Sequence, residues 1–244
     1  MRSALSEHVE KEQFPQYPAP VAVHPAGSGH APHHPYLQHH FDNMAQQMEA
    51  STLGMWVFLV TEIMFFGGLF MAYLVYRWQS PMGFQEASHH LNLYWGTANT
   101  AILIISSLTM AFAVRAAQTS QKRETQVFWL VATMILGAAF LGIKAIEYGD
   151  KFKDHIVPGP HFQWVGLYPK PAEQFYSLYF AMTGLHALHM VIGLGIMAVI
   201  TYMAWKRTFD NEYYTPVEVA GLYWHFVDIV WIFLFPLLYL VGHH

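Results

Sequence analysis

The chain has 244 residues, of which 54% are hydrophobic, only 11% are charged and none is cysteine. Soluble domains contain about a quarter charged residues, so this composition is typical of a membrane protein. The net charge of -4 argues against nucleic acid as a partner, and without cysteine the chain cannot form disulfides, thiolate metal sites or c-type haem attachments.

Residues 1–48 are polar and rich in proline and histidine, including the run HPAGSGHAPHHPYLQHH from His24 to His40. They offer too little apolar surface to fold on, so we predict a disordered or extended N-terminal tail. A histidine-rich tract can bind a divalent ion, but a mobile tail is the simpler interpretation. Because the tail holds no apolar run, we expect no secretory signal peptide, and the first membrane span then directs insertion.

Residues 49–244 contain five apolar segments, each longer than the roughly eighteen residues that distinguish a membrane span from a buried helix. The segments are Ser51–Tyr76, Leu93–Ala117, Thr125–Tyr148, Phe175–Trp205 and Val217–Val241. Inside a bilayer no water satisfies the backbone polar groups, so each segment must be a helix. The sequence therefore predicts an all-α integral membrane bundle of five transmembrane helices.

The links between the segments set the topology. The link Gln118–Glu124 is short, so the second and third spans must be antiparallel neighbours. The link Gly149–Gln174 is longer and holds four prolines, which predicts an extramembrane loop. Basic residues near the span ends are modestly more frequent on the side of the N-terminus, which favours a cytoplasmic N-terminus and an external C-terminus. On that side they are Arg115, Lys122, Arg123, Lys206 and Arg207.

Four of the predicted spans hold ionisable side chains that are candidate site residues. They are Glu62, Lys144, Glu147, His186, His189, His225 and Asp228. His225 and Asp228 are three residues apart in the last apolar stretch, Leu222–Val241, and so share one helix face. A charge inside a membrane costs a few kcal/mol and normally faces a protein interior or a partner.

Two functional interpretations of these residues are open. Haem b could be held by His186 or His189 together with His225, with Gly184 and Gly193 making room for the macrocycle. Two observations argue against a haem site. Two histidines three residues apart on one helix cannot ligate both faces of one haem, and the predicted spans hold no second pair of histidines for a second haem.

The other functional interpretation is an ion relay through Glu62 and Asp228 in a transporter. It lacks support from an internal repeat. The structural alternative, a bundle whose polar groups satisfy one another, is favoured by the residues alone. In that case hydrogen bonds between histidines and carboxylates fix the helix register, and each contributes about 0.6 kcal/mol on average inside a membrane. Lys144 then pairs with Glu147 on its own helix.

The stretch YWHFVDIVWIFLF (Tyr223–Phe235) closely resembles the C-terminal signature of subunit III of haem-copper terminal oxidases, the cytochrome c oxidase type. Three more segments match in the family's order, and the resemblance covers residues 50–244. They are FLVTEIMFFGGLF (Phe58–Phe70), LGIKAIEY (Leu141–Tyr148) and TGLHALHMVIG (Thr183–Gly193). The chain looks like the five-span form, which lacks the first two helices of the seven-span members. Lys144 stands where the family usually has glutamine.

The resemblance implies a non-catalytic subunit of an aerobic respiratory oxidase that couples oxygen reduction to proton pumping. Haem and copper are then expected in subunit I, and copper in some cases in subunit II, with none bound by this chain. The implied partners are subunit I, subunit II, small oxidase subunits and structural phospholipid, and membership of a larger respiratory supercomplex stays open. The implied role is to stabilise subunit I, bind lipid, sustain proton uptake and protect the active site from inactivation during turnover. The implied location is the bacterial inner membrane.

The alternatives are the matching subunit of a quinol oxidase or of a nitric-oxide-reductase-type complex, and an independent b-type membrane cytochrome. The family's seven-span members hold phospholipid in a V-shaped cleft walled partly by their first two helices. In this chain we expect that cleft to be narrower, differently walled or closed by another subunit.

The resemblance also suggests roles for single residues. Glu62 matches the family's buried carboxylate, which reacts with hydrophobic carbodiimides and lies off the main proton route. His225 and Asp228 are expected to lock the bundle with His186 or Glu147 nearby. The candidates for lipid binding are Glu62, Trp224, Lys206 and Arg207, the last two because they are basic and lie at the inner membrane surface.

Overall fold

A computed structural model of the chain describes residues 35–119, 121–160, 162–209 and 213–240. This part of the chain is helical and contains no strand. The helices are α1 (Met44–Gln79), α2 (Pro81–His89), α3 (Leu93–Gln118), α4 (Arg123–Lys153), α5 (Pro169–Trp205) and α6 (Thr215–Phe235), followed by a C-terminal π-helix (Pro236–Leu240). Among the described residues, five helices are long and apolar enough to cross a membrane, with α6 and the π-helix counted as one. The predicted all-α bundle of five spans is therefore confirmed.

The helix ends differ from the prediction because polar residues continue helices whose apolar pattern has stopped. Helix α1 begins at Met44, where the Asn43 side chain accepts a hydrogen bond from the Gln46 amide at 2.8 Å. Helix α5 begins at Pro169 instead of Phe175, and proline suits the first turn because the missing N–H would have no partner there. The part of the predicted tail before residue 35 lies outside the described residues.

Helix α6 lies at the centre of the bundle. It contacts α1, α3 and α5, while α3 and α4 pack along each other as their short link requires. In the most apolar window of each span, 56% of the α6 residues are buried, against 17% of those in α1. Helix α1 therefore presents most of its surface outwards.

The short helix α2 was not predicted, since only nine residues form it and few of them are apolar. Its Phe84 ring is fully buried and lies 5.4 Å from the Tyr73 ring and 5.6 Å from the Phe175 ring. The Lys151 ammonium donates at 2.8 Å to the carbonyl of His90, just past the last α2 residue. A positive charge at this end of a helix is favoured by the backbone dipoles.

The bundle ends in a π-helix that begins at Pro236, a residue with no N–H to continue the α-helical hydrogen bonds. The Tyr73 hydroxyl of α1 donates to the carbonyl of Leu237 at 2.8 Å. This bond satisfies a backbone acceptor of the π-helix and fixes the π-helix against α1.

Candidate functional site

A buried polar network joins α4, α5 and the π-helix towards the end of the bundle where the π-helix lies. Lys144 donates to Glu147 Oε2 at 2.8 Å and to the Tyr239 hydroxyl at 2.7 Å. The hydroxyls of Tyr179 and Tyr239 both donate to Glu147 Oε1, the former at 2.9 Å. All four residues are at most 5% exposed. The carboxylate thus receives three hydrogen bonds from three segments of the chain.

Aromatic rings complete the surroundings of the Lys144 ammonium. Its nitrogen lies 4.6 Å from the centre of the Trp231 ring and 5.2 Å from that of Tyr239. Cations are attracted to the faces of such rings, most strongly to tryptophan. A buried ion pair is tolerated when its remaining donors and acceptors are satisfied. Here two of the three ammonium donors are hydrogen-bonded, and aromatic rings surround the ammonium.

A second pair joins α1 to α5. Glu62 Oε2 lies 3.2 Å from His189 Nε2, and His189 Nδ1 lies 2.8 Å from the carbonyl oxygen of Leu185. A carbonyl only accepts, so Nδ1 must carry a proton. The contact between His189 Nε2 and Glu62 then needs one further proton. It lies either on Nε2, which makes an imidazolium, or on Glu62, which makes a neutral acid. In both cases the pair is neutral overall, which suits its place inside a membrane.

The predicted interaction of His225 and Asp228 with His186 or Glu147 is not found. His225 Nδ1 is 2.7 Å from the Ser107 hydroxyl of α3. Asp228 is 2% exposed and lies beside the Ser107 hydroxyl, which can accept from His225 and still donate towards the Asp228 carboxylate. That contact lies outside ordinary hydrogen-bond geometry, and neither carboxylate oxygen has another partner among the described residues. The physical reason is packing: Glu147 is already occupied by Lys144 and the tyrosines of the buried polar network.

His186 is buried among aromatic rings. Its ring meets Phe140 edge-on, with ring centres 5.4 Å apart, and lies 5.2 Å from the Trp231 ring. Neither ring nitrogen has a hydrogen-bond partner within the part of the chain that the structure describes. Its contacts are those of an aromatic side chain in a core.

Trp224 was predicted as a lipid contact, and the structure contradicts this because the side chain is 1% exposed. Its Nε1 donates to Ser106 at 3.0 Å, and its ring fills the gap between α4 and α5. A Cβ on Gly137 or Gly193 would lie only 2.7 Å or 3.0 Å from that ring. The space that Gly193 was expected to offer a haem is therefore filled by this indole.

The basic residues predicted at the inner surface lie around or beside a cavity of about 400 Å³, and all are exposed except the half-buried Arg123. Lys122, Arg123 and Arg207 line it, while Lys206 stacks its ammonium 4.6 Å from the Tyr202 ring. Arg123 also donates to the carbonyl of Trp205 at 3.2 Å. Three cations and the Glu124 carboxylate thus line one cavity beside the end of α5, which leaves an excess of positive charge there.

Two further cavities open on the apolar sides of α6. One, of about 440 Å³, is an apolar groove between α1 and α6 that includes Phe66 and Phe226. The other, of about 340 Å³, lies between α3 and α6 and has Ser107, His225 and Asp228 among its lining residues. Over the described ranges, no group of three or more His, Cys, Asp or Glu side chains is arranged to hold a metal ion.

Sequence reasoning missed two members of the buried polar network. From its place near the end of the last apolar segment, Tyr239 fits an aromatic anchor at the membrane interface, but in the structure it is 1% exposed. Tyr179 was overlooked, although it lies seven residues before His186 and so falls on the same helix face. Nothing in the sequence points to a role for Ser107, because a single serine in an apolar span is common and its partner His225 is distant in sequence.

Comparison with known proteins gives consistent results. A family profile described as cytochrome c oxidase subunit III matches residues 168–243. The chain is 34% identical to cytochrome c oxidase subunit 3 of Thermostichus vulcanus over 202 residues, covering 82% of this chain and 92% of that protein. It is 29% identical over 204 residues to cytochrome bo(3) ubiquinol oxidase subunit 3 of Pseudomonas aeruginosa, covering 84% and 91%. It is 28% identical over 201 residues to a probable quinol oxidase subunit 3 of Staphylococcus epidermidis, covering 82% and 94%.

Proposed function

Because the chain belongs to the subunit III family of haem-copper oxidases, we propose that it is the non-catalytic subunit III of an aerobic respiratory oxidase of the cytochrome c type. The family and the five spans make it a multi-pass membrane protein that works in a complex with other oxidase subunits. Subunit III of these oxidases carries no metal centre, so oxygen reduction takes place in neighbouring subunits. The role of this chain is to stabilise subunit I and to sustain proton uptake during turnover.

The observation that carries a structural role is the pairing of intramembrane charges. Lys144 and Glu147 lie 2.8 Å apart, and Glu62 and His189 lie 3.2 Å apart. Each pair is neutral overall and each links different helices, directly or through tyrosines. Such pairs fix how the helices pack, which is what a subunit that supports its neighbour requires.

The electron donor is proposed to be cytochrome c. The sequence identity of 34% to a cytochrome c oxidase subunit 3 exceeds the 28–29% identity to two subunits of quinol oxidases. The sequence of the segment Tyr223–Phe235 also resembles the cytochrome c oxidase type. The alternative is a quinol oxidase, which several relatives named as quinol oxidase subunits support. Oxygen consumption by the purified complex, fed in turn with reduced cytochrome c and with a quinol, discriminates between them.

Phospholipid is proposed to bind at two places. The cavity lined by Lys122, Arg123 and Arg207 suits an anionic head group, because basic residues at a membrane surface attract such lipids. The groove between α1 and α6 suits acyl chains, since its lining is almost wholly apolar. Longer members of the family bind phospholipid in a cleft whose wall includes their first two helices. In this chain, the groove would take the place of that cleft.

We place the chain in a bacterial inner membrane with a cytoplasmic N-terminus and a periplasmic C-terminus. The basic residues near the loop between α3 and α4 and at the end of α5 support that orientation. Labelling of single cysteines from either side of the membrane tests it directly, because the chain has none of its own.

The proposal as a whole is tested by deleting the gene and purifying the oxidase. We expect a complex that still reduces oxygen at first, takes up protons more slowly and loses activity during sustained turnover. Full activity and full stability without the chain would contradict the proposal. A haem b band in a reduced-minus-oxidised spectrum of the chain purified alone would point to an independent cytochrome.

A further inference from the structure

We propose that one anionic phospholipid binds along the seam of α4 and α5, with its head group in the cavity lined by Lys122, Arg123 and Arg207 and an acyl chain in a groove between the two helices. This inference rests on the lipid binding in the proposed function, because it names the charge of the lipid and the path of its chain. The groove has a volume of about 630 Å³ and is lined on α4 from Val127 to Ala138. It is a different groove from the one between α1 and α6.

The cavity and the groove meet at Trp205, the last residue of α5. Trp205 lines the groove, while Arg123 lines the cavity. Arg123 donates to the Trp205 carbonyl at 3.2 Å and places its guanidinium carbon 4.8 Å from the centre of the indole ring. On α4, Gln126 lines the cavity and the next residue, Val127, lines the groove. A lipid with its head group in the cavity can therefore pass one acyl chain directly into the groove.

The charge of the cavity favours an anionic head group over a zwitterionic one. Its three cations outnumber its one carboxylate, that of Glu124, by two positive charges. A guanidinium binds phosphate oxygens through two parallel N–H groups, and the Arg207 side chain is exposed at the cavity. Arg207 has a φ of 58°, in the left-handed region that favours glycine, so an arginine occupies a position where glycine would suit the backbone better.

The length of the groove fits an acyl chain rather than a helix of another subunit. Val127 and Ala138 are eleven residues apart, which is about 16 Å along a helix, and half of the hydrocarbon core is about 15 Å thick. A helix that crosses the membrane would need a groove through the whole core of about 30 Å. The Thr201 hydroxyl in the lining already donates to the carbonyl of Met197 at 2.7 Å, so it needs no partner from outside the chain.

The first experiment tests the head group. The purified oxidase is placed in phosphatidylcholine vesicles that contain a trace of either phosphatidylglycerol or phosphatidylcholine with a diazirine in the middle of one acyl chain. After illumination, we expect at least about fivefold more adduct from phosphatidylglycerol on the peptides that line the groove, and about fivefold less of it in Arg207→Gln. Arg207→Gly should lose the same labelling without a lower Tm, because glycine suits the backbone there. The matched control is Lys170→Gln, which removes an exposed cation at the other end of α5 and should leave the labelling unchanged.

The second experiment tests the groove with the same lipids. Ala138→Phe places a ring in the groove and should lower the labelling by phosphatidylglycerol, whereas Ala139→Phe alters an exposed alanine outside the lining and should not. Equal labelling of the groove by the two lipids would overturn the inference, because the groove would then hold only bulk lipid. Labelling that survives both Arg207 variants, or that responds equally to the two phenylalanine variants, would overturn it as well. Failure of the unmodified chain to purify with any oxidase would instead overturn the proposed function, and labelling of the chain in its own membranes would still decide the inference.

Discussion

The buried pair of Lys144 and Glu147 allows a sharp test of how charge is held in this bundle. We expect Glu147→Gln to lower the free energy of unfolding by about 3–5 kcal/mol, the usual cost of leaving one member of a buried pair without its partner. Lys144→Met should cost less, because Glu147 keeps the hydrogen bonds from Tyr179 and Tyr239. The double variant Lys144→Met/Glu147→Gln should cost less than Glu147→Gln alone, since no charge is then left unpaired.

The same helix offers a matched control. Lys153 and Asp150 have the same spacing and lie 3.3 Å apart, but their side chains are 78% and 58% exposed. Exposed pairs contribute about 0–1 kcal/mol, so Asp150→Asn should change stability little. Thermal unfolding in detergent measures all of these variants. At about 2–4 °C per kcal/mol for a chain of this size, Glu147→Gln should lower Tm by roughly 6–20 °C. Equal shifts for Glu147→Gln and Asp150→Asn would refute the reasoning, as would a double variant less stable than both single variants.

Two further predictions follow from the α1–α5 pair and from the packing of Trp224. Glu62→Gln should leave oxygen reduction by the purified complex largely intact, because the glutamine amide can donate to His189 Nε2; loss of most turnover in a normally assembled oxidase would contradict this. Gly193→Ala should lower Tm, since its Cβ would lie 3.0 Å from the Trp224 ring, whereas Gly195→Ala meets nothing within 4 Å and should raise Tm by improving helix propensity. Equal shifts for the two alanine variants would show that Trp224 gives way at no cost.

The sequence predicts what depends on local pattern. Runs of apolar residues longer than a bilayer requires predict the five spans, and the spacing of three residues predicts that Lys144 pairs with Glu147. Both interactions are local: one arises between a segment and lipid, the other within one helix turn. The short helix α2 escapes this reasoning because it has neither length nor a continuous apolar run.

Contacts between distant segments could not be predicted in the same way. His225 was expected to lie near His186 or Glu147, but it meets Ser107, 118 residues earlier in the chain. The partners of Glu147 include Tyr239, 92 residues away in the π-helix that follows α6. Such pairs depend on helix rotation and crossing, which apolar periodicity in one helix does not determine.

The position of Tyr239 has a consequence for biosynthesis. Lys144 and Glu147 enter the membrane with the third span, whereas the tyrosine that bonds to both belongs to the fifth. Until the later spans insert, the ammonium and carboxylate have only each other, because Tyr179 lies in the fourth span and Trp231 in the fifth. A nascent chain halted before Tyr239 would therefore keep an incomplete polar patch inside the membrane, which only the last span closes.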